Sequence, residues 1–133
     1  MNFTRISFIT IFFVITAYFG MSWVVADQSL MAKPHALTTT PTEFGISFES
    51  VTFHPLTETD VTLRGWWMPR DNAKATVIWV HGLDSARDGR MEFLANLYSE
   101  GYSILTFDLR GHGESDKVPI GGGAYEHLSL IHI

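Results

Sequence analysis

The sequence predicts an α/β fold: an antiparallel hairpin followed by a parallel strand–helix–strand unit, with a transmembrane helix ahead of both. Three observations carry this reading. A long uncharged run lies near the N-terminus, two segments within residues 46–68 nearly alternate apolar with polar residues, and two continuously apolar runs bracket a stretch of helical periodicity within residues 76–107. A chain of 133 residues has room for one domain at most.

The apolar segment comes first. Ile6 to Ala26 reads ISFITIFFVITAYFGMSWVVA, 21 residues without a charge. As a helix it would span roughly 31 Å at about 1.5 Å per residue, enough to cross a bilayer core. Tyr18 and Trp23 lie toward its outer end, where interfacial aromatics are common. Arg5 precedes the segment and Asp27 follows it, so the positive-inside rule puts the N-terminus in the cytoplasm and the body outside. Residues 1–26 are read as a single-pass signal anchor, on length. A signal peptide cleaved after Ala26 is the alternative, because Val24-Val25-Ala26 carries small residues at the spacing of a cleavage site. Residues 27–43 are polar, with Pro34 and Pro41 as breakers, and read as a linker.

Ile46, Phe48, Val51 and Phe53 nearly alternate with polar residues, and the slip in phase at Glu49-Ser50 suggests a bulge. HPLTET (54–59) is turn-rich, and Val61 and Leu63 then alternate into Gly65-Trp66-Trp67-Met68, giving the second half of an antiparallel pair. Pro69 ends it. Thr76-Val77-Ile78-Trp79-Val80 is apolar almost throughout, the pattern of a strand buried on both faces of a parallel sheet. Met91, Leu94, Leu97 and Tyr98 recur at helical spacing, which places an amphipathic helix over about 88–100. Tyr102 to Phe107 is a second buried strand, and the three together make a right-handed βαβ unit.

Composition excludes several classes. Arg5 is the one charge in residues 1–26, so the rest of the chain holds eight of the nine basic residues and all fourteen acidic ones. Such a balance argues against nucleic acid as a partner. The absence of cysteine excludes disulfides, a thiolate nucleophile and Cys-ligated metals.

Two loops leave the C-terminal ends of the apolar strands, where open α/β sheets bind ligands. The first begins His81-Gly82; the second reads Asp108-Leu109-Arg110-Gly111-His112-Gly113-Glu114-Ser115. VIWVHGLDSARDGR (77–90) and ILTFDLRGHGES (104–115), in that order and at that spacing, resemble the α/β-hydrolase family, and most nearly its serine-hydrolase branch with esterase, lipase and aminopeptidase-like members. The resemblance covers about residues 44–126, as a partial domain.

The resemblance implies a hydrolase of ester or amide bonds in small acyl substrates, working through a Ser–His–acid triad without cofactor or metal. It implies that the backbone N–H of Leu83 is an oxyanion donor, with Gly82 admitting close approach of the backbone. Such a donor is worth roughly 3–4 kcal/mol when removed. His81 is expected to prop the loop by hydrogen bonding rather than transfer protons. Asp108 and Arg110 are expected to pair or to bond loop amides, Gly111 and Gly113 to permit a tight turn, and His112 and Ser115 to be structural members of that loop. Trp66 and Trp67 read as hairpin packing, and His35 and His54 as solvated.

No catalytic residue is expected within this chain. The elbow G-x-S-x-G occurs nowhere; GISFE (45–49) and GESDK (113–117) both fail it. Family order puts the elbow on the strand after the one ending at Asp108, beyond a helix that would start near 123–126. The parent is therefore expected to be an enzyme and this N-terminal fragment inactive, with a sheet edge and face left uncovered. Leu128 to Ile133, LSLIHI, is also what CTG TCT CTT ATA CAC ATC encodes, the end of a transposon adapter, so residues 127–133 read as a non-native read-through tail, against a genuine apolar tail. Two other classes compete with this reading. A nucleotide-binding βαβ module fits Gly111 and Gly113 but has Asp116 where its third glycine belongs. A short membrane-tethered non-catalytic binding protein would be complete as written.

Overall fold

A computed structural model describes residues 3–33, 35–55 and 59–120. Part of the HPLTET turn, the expected helix start at 123–126 and the tail over 127–133 lie outside the described residues. The chain divides into two compact units, residues 1–31 and 32–133.

The first unit is one helix, α1 (Phe3–Ser29). It runs through Asp27 and past the expected end at Ala26, because no breaker stands before Pro34 and nothing in Asp27-Gln28-Ser29 forbids the helical backbone. Its polar side chains satisfy themselves locally: the Thr16 hydroxyl donates to the Phe12 carbonyl at 2.9 Å and the Ser29 hydroxyl to that of Val25 at 2.7 Å. Ser7–Ser29, with a mean hydropathy of 2.0, is long and apolar enough to span a membrane. A signal sequence passes the same test.

The second unit is a mixed sheet with one helix. Its strands are β1 (Glu49–Phe53), β2 (Leu63–Met68), β3 (Thr76–Val80) and β4 (Ser103–Phe107), with helix α2 (Met91–Ser99) between β3 and β4. The order across the sheet is β1-β2-β4-β3. β1 pairs antiparallel with β2, β2 antiparallel with β4, and β3 parallel with β4. The hairpin and the parallel pair thus join through β2 and β4, in register from Met68↔Ile104 to Gly65↔Phe107.

Strand alternation sorts the side chains onto two faces. On one face Trp66, Met68 and Ile104 pack with Met91 and Leu94 of α2 and with Ile46. On the other, Leu63, Phe107 and Val61 form a smaller cluster with Phe53 and Val80 against it, and the Phe53 and Phe107 rings meet edge-on at 5.1 Å.

Three expectations need correction. The bulge at Glu49-Ser50 is absent: the β1–β2 ladder is continuous from Glu49↔Trp67 to Phe53↔Leu63. The slip in phase marks the start of the strand, with Phe48 packed on Trp66 at 5.4 Å just ahead of it. β3 is not buried on both faces. It is the sheet edge among the described residues, and Ile78 is 44% exposed on the face away from α2. The stretch after α1 is more than a linker: Pro41–Phe44 form a 3-10 turn with Pro41 buried, closed by the Thr40 amide donating to Glu43 Oε1 at 2.8 Å.

Candidate active site

The two motif loops meet at the C-terminal ends of β3 and β4. Parallel pairing of Val80 with Phe107 makes this unavoidable, since each loop begins one residue later. His81 ties them together. Its Nε2 accepts from the Leu109 amide at 3.0 Å, and its Nδ1–H donates to the Gly82 carbonyl at 2.7 Å. Those partners fix the neutral tautomer with the proton on Nδ1. Burial lowers the His81 pKa, which the Gly82 bond opposes and the neighbouring His112 reinforces. The His81 and His112 rings lie 5.0 Å apart. His112 is buried and bonded through Nδ1 to the Arg110 carbonyl at 2.9 Å.

Asp108 organises the second loop. It is fully buried, at 0% exposure, in a site that would be prohibitive for an unpaired carboxylate. Oδ1 accepts from the Arg87 amide at 2.7 Å, and Oδ2 accepts from the Arg87 guanidinium at 2.7 Å and from the Glu114 amide at 2.8 Å. Asp108 therefore pairs with Arg87, in the β3–α2 loop, and bonds the Glu114 amide of its own loop; the expected partner Arg110 is itself buried nearby in sequence. The Arg87 guanidinium also bridges to the Glu114 carboxylate and stacks 4.5 Å from the Trp66 ring centroid. Its carbonyl accepts from the buried Thr106 hydroxyl at 2.9 Å. Arg87 lies within the quoted 77–90 segment, but its role was not legible there, because an arginine in a polar loop has nothing local to mark it as buried.

The rest of the second loop closes tightly. Gly111 and Gly113 take φ of 75° and 47°, and a Cβ on Gly113 would collide with the Asp108 carboxyl. The Ser115 hydroxyl donates to the Asp108 carbonyl at 2.7 Å and accepts from the Arg64 amide at 2.9 Å, which staples the turn to β2. Asp116 accepts from the Thr62 amide at 2.9 Å and pairs with Arg64 at 3.0 Å; the amide and then the arginine hold its pKa below the usual aspartate value. A phosphate has no place in a turn whose interior is filled by a carboxylate.

The first loop is open where the second is closed. Leu83 is 71% exposed, and its backbone N–H has no acceptor among the described residues. A Cβ on Gly82 would meet no atom within 4 Å, so nothing described here requires glycine at that position. Two histidines expected in solvent have partners. His54 Nδ1–H donates to the Val61 carbonyl at 3.0 Å, and His35 Nε2 stands 3.6 Å from Asp88 Oδ1.

With this geometry in view, comparison with known proteins is specific. Residues 71–129 match the family model described as serine aminopeptidase, S33. The structure of the Pyrococcus furiosus esterase Pf2001 superposes with a TM-score of 0.68 at 30% identity, over 76% of this chain and 39% of the esterase. The haloalkane dehalogenase DpaA from Paraglaciecola agarilytica shares the fold, with a TM-score of 0.54 at 18% identity over 71% of this chain and 34% of its own. The uncharacterized protein YfhR of Salmonella typhimurium is 38% identical over 77 residues, which is 53% of this chain and 25% of that protein. The chain thus spans about a quarter of the curated relatives it matches. It shares the α/β-hydrolase fold with these structures and is similar in sequence to the serine aminopeptidase, S33 model over residues 71–129.

Proposed function

We propose that this chain is the N-terminal part of a serine hydrolase that cleaves an ester or amide bond in a small acyl substrate. The observation that carries the reading is the juxtaposition of one rigid and one open loop at the strand ends. His81 ties the β3 loop to the β4 loop, while Leu83 beside it is exposed and its N–H has no acceptor among the described residues. A fixed, unspent backbone donor is what a tetrahedral oxyanion needs, because its reorganisation cost has already been met in folding. The likeness to an esterase and to the serine aminopeptidase model favours acyl transfer over the other reactions that the fold supports.

The nucleophile, acid and general base would come from chain beyond the family-matched segment, and the next strand would pair with the free edge of β3. The exposed Ile78 on that strand supports this reading, since it would gain cover there. Residues 6–26 would anchor the enzyme with its body outside the cytoplasm, or direct its export before cleavage after Ala26.

The test is to express the coding sequence together with its genomic continuation and assay p-nitrophenyl esters and aminoacyl nitroanilides. Hydrolysis that is lost when the serine of a downstream G-x-S-x-G is changed to alanine is expected. A continuation without that elbow, or an elbow serine whose loss leaves turnover intact, would overturn the proposal.

A further inference from the structure

The β3–α2 loop is held from a direction that the family motifs do not announce. Two of its carboxylates bind the segment ahead of β1. Asp88 is the stronger attachment. Its side chain is 2% exposed, and its Oδ2 accepts from the Thr38 amide at 2.7 Å, the Thr38 hydroxyl at 3.0 Å and the Thr39 amide at 3.4 Å. Burial alone would raise the Asp88 pKa, but the bonds from Thr38 and Thr39 outweigh it and the value is lowered. The other oxygen, Oδ1, is buried without a hydrogen-bond partner among the described residues, 3.6 Å from His35 Nε2. Four residues earlier Asp84, next to Leu83, accepts from the Lys33 amide at 3.2 Å and pairs with the Lys33 ammonium at 3.0 Å.

Lys33 and the pair Thr38-Thr39 therefore hold the loop at two points, Asp84 and Asp88, although about fifty residues separate the partners in sequence. Residues 35–39 add no strand to the sheet and no turn to a helix, so regular structure does not account for their placement. Asp88 also follows Arg87 directly. Arg87 turns to Asp108 and the second loop; Asp88 turns to Thr38 and the upstream segment. Consecutive side chains fasten the loop on two sides.

We propose that Lys33, His35, Thr38 and Thr39 form a clasp that fixes the loop carrying Leu83, with Asp88 as its positioning residue. The stretch that follows the apolar helix is then support for the pocket loop rather than a spacer, and both anchoring and cleavage after Ala26 leave it attached. The inference rests on the oxyanion reading of Leu83 only for what the loop is for; the clasp itself is independent of it.

The test is amide hydrogen exchange on the full chain in detergent, read at Arg87, Gly89 and Met91. These amides are bonded to Asp108, to the Ala86 carbonyl at 2.9 Å and to the Asp88 carbonyl at 3.3 Å. Exchange at such positions reports local opening. Asp88→Ala is expected to speed exchange at all three about tenfold while the β1–β2 ladder amides stay as they were. Asp88→Asn keeps an oxygen for Thr38 and Thr39 and is expected to recover most of the protection, whereas Asp88→Leu, which keeps the bulk without an acceptor, is expected to exchange like Asp88→Ala; recovery in Asp88→Leu would make the role one of space filling and overturn the clasp. Exchange in Asp88→Ala within twofold of the unmodified chain would overturn the clasp. So would an equal rise across every amide of the sheet, which would make Asp88 a general stabiliser. If Asp88→Ala does not fold, Thr38→Val removes the hydroxyl alone; a rise of about threefold confined to the same amides supports the clasp, and no rise overturns it. Hydrolytic inactivity of the longer product would defeat the oxyanion reading and leave these exchange results unchanged.

Discussion

Replacing Asp108 with asparagine removes one charge and almost no volume, and the structure says where the cost falls. The carboxylate receives three short bonds, from the Arg87 amide at 2.7 Å, the Arg87 guanidinium at 2.7 Å and the Glu114 amide at 2.8 Å. An asparagine offers one oxygen. Whichever way its amide turns, an NH2 group faces a donor, and at least one buried N–H is stranded. Breaking a buried pair costs about 3–5 kcal/mol. Glu114 offsets part of this, because it also bridges Arg87, but it is largely exposed and screened. A net local loss of about 3 kcal/mol follows, on the order of a hundredfold in opening at about 1.4 kcal/mol per decade. Amide exchange at Arg87 and Glu114 measures it directly. Acceleration of less than about threefold at both amides would refute the assignment of Asp108 as the anchor of the two loops.

Other predictions follow from the same contacts. Gly113→Ala places a methyl against the Asp108 carboxyl at a φ of 47°, so it should speed exchange at the same two amides as Asp108→Asn does, and an unchanged exchange pattern would contradict the packing. Because burial lowers the His81 pKa, the fold favours the neutral ring; its contribution is complete above about pH 6.5 and is lost as pH falls through the lowered folded value. Protection of the Leu109 amide, corrected for intrinsic rates, should therefore decline below about pH 6.5, and His81→Gln should abolish that dependence; a persisting dependence would assign the titration elsewhere. Ile78→Lys puts a charge on the exposed edge strand and should reduce aggregation of the chain in light scattering without changing its circular dichroism, whereas equal aggregation would show that this edge is not the sticking surface.

Much of the fold was legible in the sequence, for identifiable reasons. The two apolar runs and the 3.6-residue periodicity between them mark β3, α2 and β4, because burial on a parallel sheet and on an amphipathic helix leaves opposite patterns. The join of β2 to β4 was not legible: it depends on tertiary pairing between residues about forty apart, as in Met68↔Ile104, and no local pattern encodes it. The exposure of β3 was misread because an apolar run states what faces a strand is suited to bury, not which neighbours it has. At the candidate site, glycines and histidines in motif spacing marked the two loops that meet at the ends of β3 and β4. The roles of Arg87 and Asp88, which hold those loops, were not legible, since a charged residue in a turn looks solvated until its buried partner, Asp108 or Thr38, is known.

The proposed reaction pocket is shared between these two loops and a downstream serine. Labelling the product of the extended coding sequence with a fluorophosphonate probe tests that most directly. Stoichiometric modification of the serine in a G-x-S-x-G segment beyond residue 126, with none on the chain as given, is the predicted result. Failure of the extended product to label, or labelling of Ser85 or Ser115 in its place, would contradict it.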